Sequence, residues 1–237
     1  MSFSNPDHDR EPLFAEPMYV DEALKRERLV PPLLLAIPMI AAFAWLWWTD
    51  GTMIAWAVSG PQLAAGRYET IALHMFAHGG LMHIGFNMMA LLAIGPAVME
   101  RLGPLGGRSL TGFLALFFGC GLAGMAFWLG LNPSSDIPML GASGAIFGLL
   151  GAILRQPDPQ LPPVPLVSKA MGKAVIAFVR LHIPLLVIFA IPLLFGSGFF
   201  GLAWEAHLGG FIAGILLAGP ITSWCGNRPD WYPVDDR

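Results

Sequence analysis

A serine and a histidine stand in two strongly apolar stretches of the chain, and together they could form a nucleophile and its base. Ser143 lies in the glycine frame GASG (141–144), and His207 lies in AHLGG (206–210). A hydroxyl or an imidazole in hydrocarbon costs several kcal/mol unless a partner satisfies it. The simplest partner for each is the other, which is the arrangement of a hydroxyl nucleophile activated by an imidazole.

A third polar group, HGGLMHIGFN (78–87), precedes these two motifs and could stabilise developing negative charge. His83 and Asn87 are four residues apart, so on a helix they share one face. Neutral donors at that place could stabilise an oxyanion in a site of low dielectric constant. His78 and His74 are interpreted as structural histidines bonded to loop backbone. The histidine spacings, without an acidic partner, make a poor zinc site.

The composition indicates the medium in which these residues must work. Hydrophobic residues make up 55% of the 237 residues and charged residues only 12%, with a mean hydropathy of +0.62. An ordinary soluble domain carries about 25% charged residues. The chain is therefore predicted to be a membrane protein, with no cofactor, metal or nucleic-acid partner expected. Six stretches approach the ~20 apolar residues that a membrane helix needs: residues 31–48, 79–99, 109–131, 139–154, 175–195 and 201–222.

The distribution of basic residues predicts how these spans are oriented. Of the 13 Lys and Arg residues, all except Arg67 fall on one set of connections and at the two termini. An excess of Lys and Arg marks cytoplasmic loops, so both termini are predicted to be cytosolic. The predicted domains are a cytosolic segment (1–30), a membrane domain (31–222) and a cytosolic tail (223–237). Residues 21–28 could form a short helix on the cytosolic surface.

The predicted spans place the serine and the histidine at similar depth. Ser143 precedes Arg155, at the cytosolic end of its span, by a helix length of ~18 Å in a ~30 Å core. His207 lies ~9 Å below the outer start of the last span. Both spans also carry a GxxxG pattern, at 144–148 and at 210–214, which lets membrane helices approach closely. The two residues could therefore meet.

Taken together, these motifs closely resemble those of the rhomboid family of intramembrane serine proteases. The resemblance covers roughly residues 66–220 and rests on GASG (141–144), HLGGFIAG (207–214), the 78–87 motif and ERLG (100–103). It implies an all-α bundle of six transmembrane helices, with Ser143 as the nucleophile and His207 as the general base. The oxyanion hole would comprise His83, Asn87 and the backbone N–H of Ser143. The supporting residues would be Gly141, Gly144, Phe147, His78, Gly210 and Gly214.

The chain departs from the family pattern at two positions. Phe147 stands one turn after the serine, where the family often has a tyrosine whose ring stacks on the base. Arg67 follows a glycine instead of the usual tryptophan, and it is expected to anchor the long loop 49–78. By the same resemblance, residues 196–201 would form a cap over the site. Glu205 is two residues from His207 and so lies on another helix face, which argues against a catalytic triad.

The resemblance implies hydrolysis of peptide bonds in or near transmembrane segments of other membrane proteins, with the lipid bilayer as the second partner. The localisation expected is a bacterial inner membrane, with the site open to the periplasm through a hydrophilic cavity lined by His78, His83, Asn87 and His207. A neutral imidazole base of ordinary pKa predicts activity that rises from pH ~5.5 to ~7.5. The alternatives are a transporter with a histidine proton relay and an inactive rhomboid-like binding protein.

Overall fold

The computed structural model describes residues 16–49, 51–180 and 203–226, and the regular structure in these ranges is almost entirely helical. Outside the described residues lie the predicted fifth span from residue 181, the predicted cap 196–201, residues 1–15 and the tail from 227. The helices are α1 (Glu16–Trp48), α2 (Gly60–Ala64), α3 (Thr70–Leu73), α4 (Leu81–Leu102), α5 (Gly107–Leu131), α6 (Ser143–Arg155), α7 (described over 169–180) and α8 (Trp204–Cys225).

Within the described residues, four helices are long and apolar enough to cross a membrane: Glu22–Trp48 of α1, α4, α5 and α8. The first of these continues from a polar segment, because α1 runs without interruption through residues 21–30. The helix expected over residues 21–28 is therefore present, but it is continuous with the first span and is not a short helix of its own. The segment DEALKRER consists mostly of strong helix formers, so the helix persists up to the apolar span.

Helix α6 is shorter than its predicted span of 139–154, with only 13 residues from Ser143 to Arg155. The break is local: Gly141 has a φ of +117°, a backbone conformation that ends regular right-handed structure. Just before it, Met139 forms an isolated antiparallel bridge with Val58, with two N–H···O bonds of 2.8 Å. Residues 139–142 therefore lead into the helix as non-helical backbone, with Ala142 capping it, and Ser143 becomes its first residue.

The core is built around α6, which packs against α8, α5 and α4, while α1 packs against α4. Large side chains such as Phe113, Phe117, Leu91 and Leu149 are fully buried between these helices. Glycines set the closest approaches: a Cβ at Gly148 would overlap the side chain of Cys120, and a Cβ at Gly151 would overlap the carbonyl of Phe211. Residues without side chains therefore let backbones touch, as in other membrane bundles.

A second, smaller core joins the segment between α1 and α4 to the start of α8. Its buried members are Val58, Met125, Trp128, Met139 and Ala206. The 3₁₀ turn Met53–Trp56 of the same segment is held by Arg67, whose Nη2 donates to the carbonyl of Ala55 at 2.6 Å. This agrees with the anchoring role that the resemblance implies for that arginine.

At the other end of the bundle, a buried arginine holds the proline-rich connection after α6. Arg101 donates hydrogen bonds to the backbone carbonyls of Gln156 and Pro157 and to that of Ala97 in its own helix. The connection 156–168 contains no helix, and α7 begins at residue 169, earlier than the predicted 175. Five prolines account for the irregular stretch, because each removes a backbone donor.

Candidate active site

Ser143 and His207 meet at the start of two adjacent helices. Nε2 of His207 lies 2.7 Å from Oγ of Ser143, within hydrogen-bond distance. Ser143 is the first residue of α6, and His207 lies in the first turn of α8. Both side chains are half-buried. A hydroxyl bonded to an imidazole nitrogen is the geometry in which the imidazole can take the hydroxyl proton.

The short distance depends on glycines that let α6 and α8 come together. A Cβ at Gly210 would overlap the carbonyl oxygen of Gly144, and a Cβ at Gly214 would overlap that of Gly148. The carbonyl of Ala206, next to the histidine, would lie 3.2 Å from a Cβ at residue 144. The two predicted glycine faces are therefore in contact, and they flank the polar pair.

The aromatic ring of Phe147 orients the imidazole. The two ring centroids are 4.4 Å apart and the planes differ by only 7°, so the rings of Phe147 and His207 are stacked. Phe147 lies one turn after Ser143 on the same helix, which places its ring on the side where the histidine must sit. Stacking limits rotation of the imidazole about its side-chain bonds and keeps Nε2 directed at the serine.

Gly141 separates the serine from His83. A Cβ at this position would lie 2.7 Å from Nε2 of His83 and 3.9 Å from Oγ of Ser143. The small space between the serine hydroxyl and the imidazole of His83 therefore exists because residue 141 has no side chain. That space is where a carbonyl oxygen could approach both the nucleophile and a donor.

Asn87 and His78 complete the polar group, and each has an atom without a partner among the described residues. Asn87 donates from Nδ2 to the carbonyl of His83 at 2.8 Å, while its buried Oδ1 is unsatisfied. Nδ1 of His78 lies 3.2 Å from the carbonyl of Phe76, which makes it the donor and leaves Nε2 as a buried, unsatisfied acceptor. The ring of His78 also contacts that of His83 edge-on at 5.2 Å.

His74, interpreted from the sequence as structural, lies against the site. It lines a small cavity of ≈ 10 Å³ together with Gly141, Ser143, Ala203 and Ala206, close to the smallest volume that holds one water molecule. Its carbonyl accepts from the N–H of Gly141 at 2.8 Å. Its Nδ1 donates to the carbonyl of Ile71 at 2.9 Å, and burial lowers the pKa of His74 below its usual value. A neutral His74 thus supports the turn that carries the serine.

Comparison with known proteins identifies the family. The model of the Rhomboid domain matches residues 65–224, which include every polar residue described above. The chain belongs to the rhomboid family. A rhomboid with these helices is a multi-pass membrane protein.

Several rhomboids from other organisms are similar to this chain. Rhomboid protease GluP of Bacillus subtilis strain 168 is 31% identical over 172 residues, which cover 72% of this chain and 29% of the relative. Rhomboid protein 1, mitochondrial, of Saccharomyces cerevisiae is 31% identical over 156 residues, or 62% and 40% of the two chains. Rhomboid-type serine protease 2 of Emericella nidulans is 32% identical over 160 residues, or 65% and 27%. The chain spans less than half the length of each of these relatives.

The structure of this rhomboid adds one residue to the site that the sequence did not assign to it. The hydrophilic cavity expected beside His78, His83, Asn87 and His207 stays a prediction, whereas the small cavity beside Ser143 is bordered by His74. In the sequence, His74 was marked only by its spacing of four residues from His78. That spacing could not place His74 at the site, because His74 contacts the site through a hydrogen bond from the backbone of Gly141, a residue far along the chain.

Proposed function

We propose that this chain is an intramembrane serine endopeptidase that hydrolyses peptide bonds in or near transmembrane segments of other membrane proteins. The observation that carries the proposal is the 2.7 Å contact between Nε2 of His207 and Oγ of Ser143, at the start of two apolar helices. The names of two similar rhomboids, which call them a protease and a serine protease, agree with this activity.

The first half-reaction is acyl transfer to the serine. Oγ of Ser143 attacks the carbonyl carbon of the substrate while Nε2 of His207 takes the hydroxyl proton. The tetrahedral intermediate then collapses: the bond to the leaving nitrogen breaks, and the imidazolium gives its proton to the departing amine. The acyl group stays on Ser143 as an ester. Phe147 contributes by stacking on His207 and holding its ring in the plane that both proton transfers require.

An oxyanion hole would stabilise the charge that develops on the substrate carbonyl oxygen. We assign it to the side chains of His83 and Asn87 and the backbone N–H of Ser143. This N–H is among the first of α6, which have no partner within the helix, and the helix dipole favours negative charge there. The gap left by Gly141 between His83 and Ser143 supports the assignment, since an oxygen placed there approaches both. One such donor typically contributes 10²–10³-fold to kcat.

Hydrolysis of the acyl-enzyme needs one water molecule within the membrane domain. Nε2 of His207, again neutral, takes a proton from this water as it attacks the ester carbonyl, and then returns a proton to Oγ of Ser143. The cavity beside Ser143 and His74 has about the volume of one water molecule, so a water held there would lie next to the acylated serine. Its polar wall offers the water hydrogen-bond partners that a purely apolar cavity would lack.

The same proposal includes the topology and the location of the protein. We propose six crossings with cytosolic termini, α6 and the helix beginning at residue 169 adding to the four long spans. The domains would be residues 1–30, 31–222 and 223–237. Since α6 is ~20 Å long, a helix that ends at the cytosolic surface of a ~30 Å core would leave Ser143 ~10 Å below the outer surface. We place the protein in a bacterial inner membrane with the site opening to the periplasm.

Cleavage of a generic single-span membrane substrate in liposomes tests the proposal. Wild type, Ser143→Ala and His207→Ala are compared, with folding of each checked by thermal unfolding in detergent. We expect both substitutions to abolish cleavage, because removing either member of the pair removes the activated nucleophile. Phe147→Tyr, which keeps the stacked ring, is the matched control and should cleave at a rate close to wild type.

Two results would contradict the proposal. If Ser143→Ala cleaved as fast as wild type, Ser143 would be only a packing residue. If folded wild type cleaved none of a panel of single-span substrates and did not react with a fluorophosphonate at Ser143, the chain would be a rhomboid-like binding protein.

A further inference from the structure

A hydrogen bond joins the end of α5 to the start of α8, close to the histidine. Asn132 follows the last residue of α5, and its Nδ2 lies 3.1 Å from the carbonyl of Trp128 and 3.2 Å from Oε1 of Glu205. Glu205 is in the first turn of α8, two residues before His207. One amide group thus satisfies a carbonyl at the end of α5 and also binds a carboxylate on the neighbouring helix.

The backbone of the same turn of α8 is held from two other sides. The carbonyl oxygen of Ala206 would lie 2.5 Å from a Cβ at Gly124 in α5 and 3.2 Å from one at Gly144 in α6. Ala206 itself is buried in the smaller core beside Trp128. These backbone contacts fix how closely α8 approaches the other helices. The side chain of Phe127 in α5 also lies against the backbone of Gly209 in α8. All these contacts are apolar or between backbones, so a polar contact at the first residues of α8 would add a directional constraint.

The contact between Asn132 and Glu205 is such a directional constraint. It attaches the turn that carries His207 to a fixed point at the end of α5, which is one of the long, well-packed helices of the core. Residues two apart on a helix point to different faces, so Glu205 is not placed to act on the imidazole directly through its charge. The carboxylate acts through the position of the helix.

We infer that Glu205, bound by Asn132, is a positioning residue that sets the register of His207 against Ser143. The inference rests on the proposed function, because its effect is measured on the proposed reaction. Loss of the contact lets the first turn of α8 shift, and the distance of 2.7 Å between Nε2 and Oγ is then no longer held. A misplacement of ~1 Å in a reacting group can cost ~10²-fold in rate.

Steady-state cleavage of a single-span substrate in detergent separates positioning from binding. For Glu205→Ala and for Asn132→Ala we expect kcat to fall about tenfold or more, below the ~10²-fold that a full 1 Å shift would cost, with KM within about twofold of wild type. Glu205→Gln should restore kcat to within about twofold, because its amide oxygen accepts the same hydrogen bond. The double alanine variant should be no slower than the slower single variant, since both remove one interaction.

Asp136→Ala is the matched control for loss of a negative charge, because Asp136 is an exposed residue of the connection between α5 and α6. It should leave both kcat and KM unchanged. The rate at which a fluorophosphonate labels Ser143 is the second readout, and it should follow kcat across the series. This reaction also depends on the Ser143 and His207 geometry but needs no membrane substrate.

The outcomes distinguish this inference from the proposed function. An active wild type whose Glu205→Ala and Asn132→Ala variants keep kcat within twofold would overturn the positioning role alone. A Glu205→Gln variant as slow as Glu205→Ala would also overturn it, because charge would then matter and the hydrogen bond would not. A folded wild type with neither cleavage nor labelling would overturn both the proposed function and this inference.

Discussion

Replacement of Gly210 by alanine would separate the two helices that carry the proposed dyad. In the structure, a Cβ at this position overlaps the carbonyl oxygen of Gly144 in α6. Non-bonded heavy atoms settle about 3.5 Å apart, so the helices must separate by at least ~1 Å. Gly210 is one turn after His207, and the displacement is therefore transmitted to the histidine almost unreduced.

The same displacement sets the expected loss of activity. The distance between Nε2 of His207 and Oγ of Ser143 is 2.7 Å, and a further ~1 Å takes it beyond the 3.2 Å limit of a good hydrogen bond. A misplacement of this size costs ~10²-fold in rate. We therefore expect kcat of Gly210→Ala to fall ~100-fold. Overpacking of the core should also lower the free energy of unfolding by about 1–3 kcal/mol.

Gly219→Ala is the control for this experiment, because it makes the same change on the same helix. A Cβ there meets only the Nη2 atom of Arg155 at 3.6 Å, an ordinary contact. Cleavage of a single-span substrate in liposomes gives kcat, and thermal unfolding in detergent reports stability. If Gly210→Ala kept more than about a third of wild-type kcat while remaining folded, the argument that glycine contact sets the dyad distance would be refuted.

Three further predictions concern Gly141 and His74 beside the serine and Arg67 in the loop between α1 and α4. Gly141→Ala should lower the rate of cleavage more than tenfold, because the new Cβ would lie 2.7 Å from Nε2 of His83 and the φ of +117° disfavours any side chain. Activity close to wild type would contradict the proposal that the substrate carbonyl oxygen occupies the gap beside Gly141. Arg67→Ala should lower the free energy of unfolding by about 1–3 kcal/mol, because the substitution removes the part-buried hydrogen bond to the carbonyl of Ala55, whereas the half-exposed ion pair with Glu69 contributes little. The loop should also become more sensitive to limited proteolysis. Burial lowers the pKa of His74, so the stability that the neutral imidazole contributes is complete above the ordinary pKa of ~6.5 and is lost as the pH falls towards the lowered pKa. The midpoint of thermal unfolding should therefore drop between pH 7 and 5, and His74→Gln should reduce that drop.

Fold class and the approximate positions of the helices followed from the sequence, because they depend on local properties. Long apolar runs predict α4, α5 and α8 to within a few residues, since a membrane span must satisfy its own backbone and reach across the hydrocarbon. Helix starts were less predictable. α1 continues through residues 21–30. α6 begins at residue 143 instead of 139, because Met139 forms a bridge with Val58 and Gly141 has a φ of +117°.

The sequence by itself determined that a serine and a histidine lie in apolar stretches flanked by glycines, and that a family resemblance joins them. Only the tertiary structure decided the 2.7 Å distance between Ser143 and His207, the stacking of Phe147, and the place of His74 beside the serine. It also decided that Glu205 binds Asn132 at the end of another helix. Hydropathy and helix periodicity act within a segment, whereas these contacts join residues from different helices. Their geometry is set by how closely glycine surfaces let those helices pack.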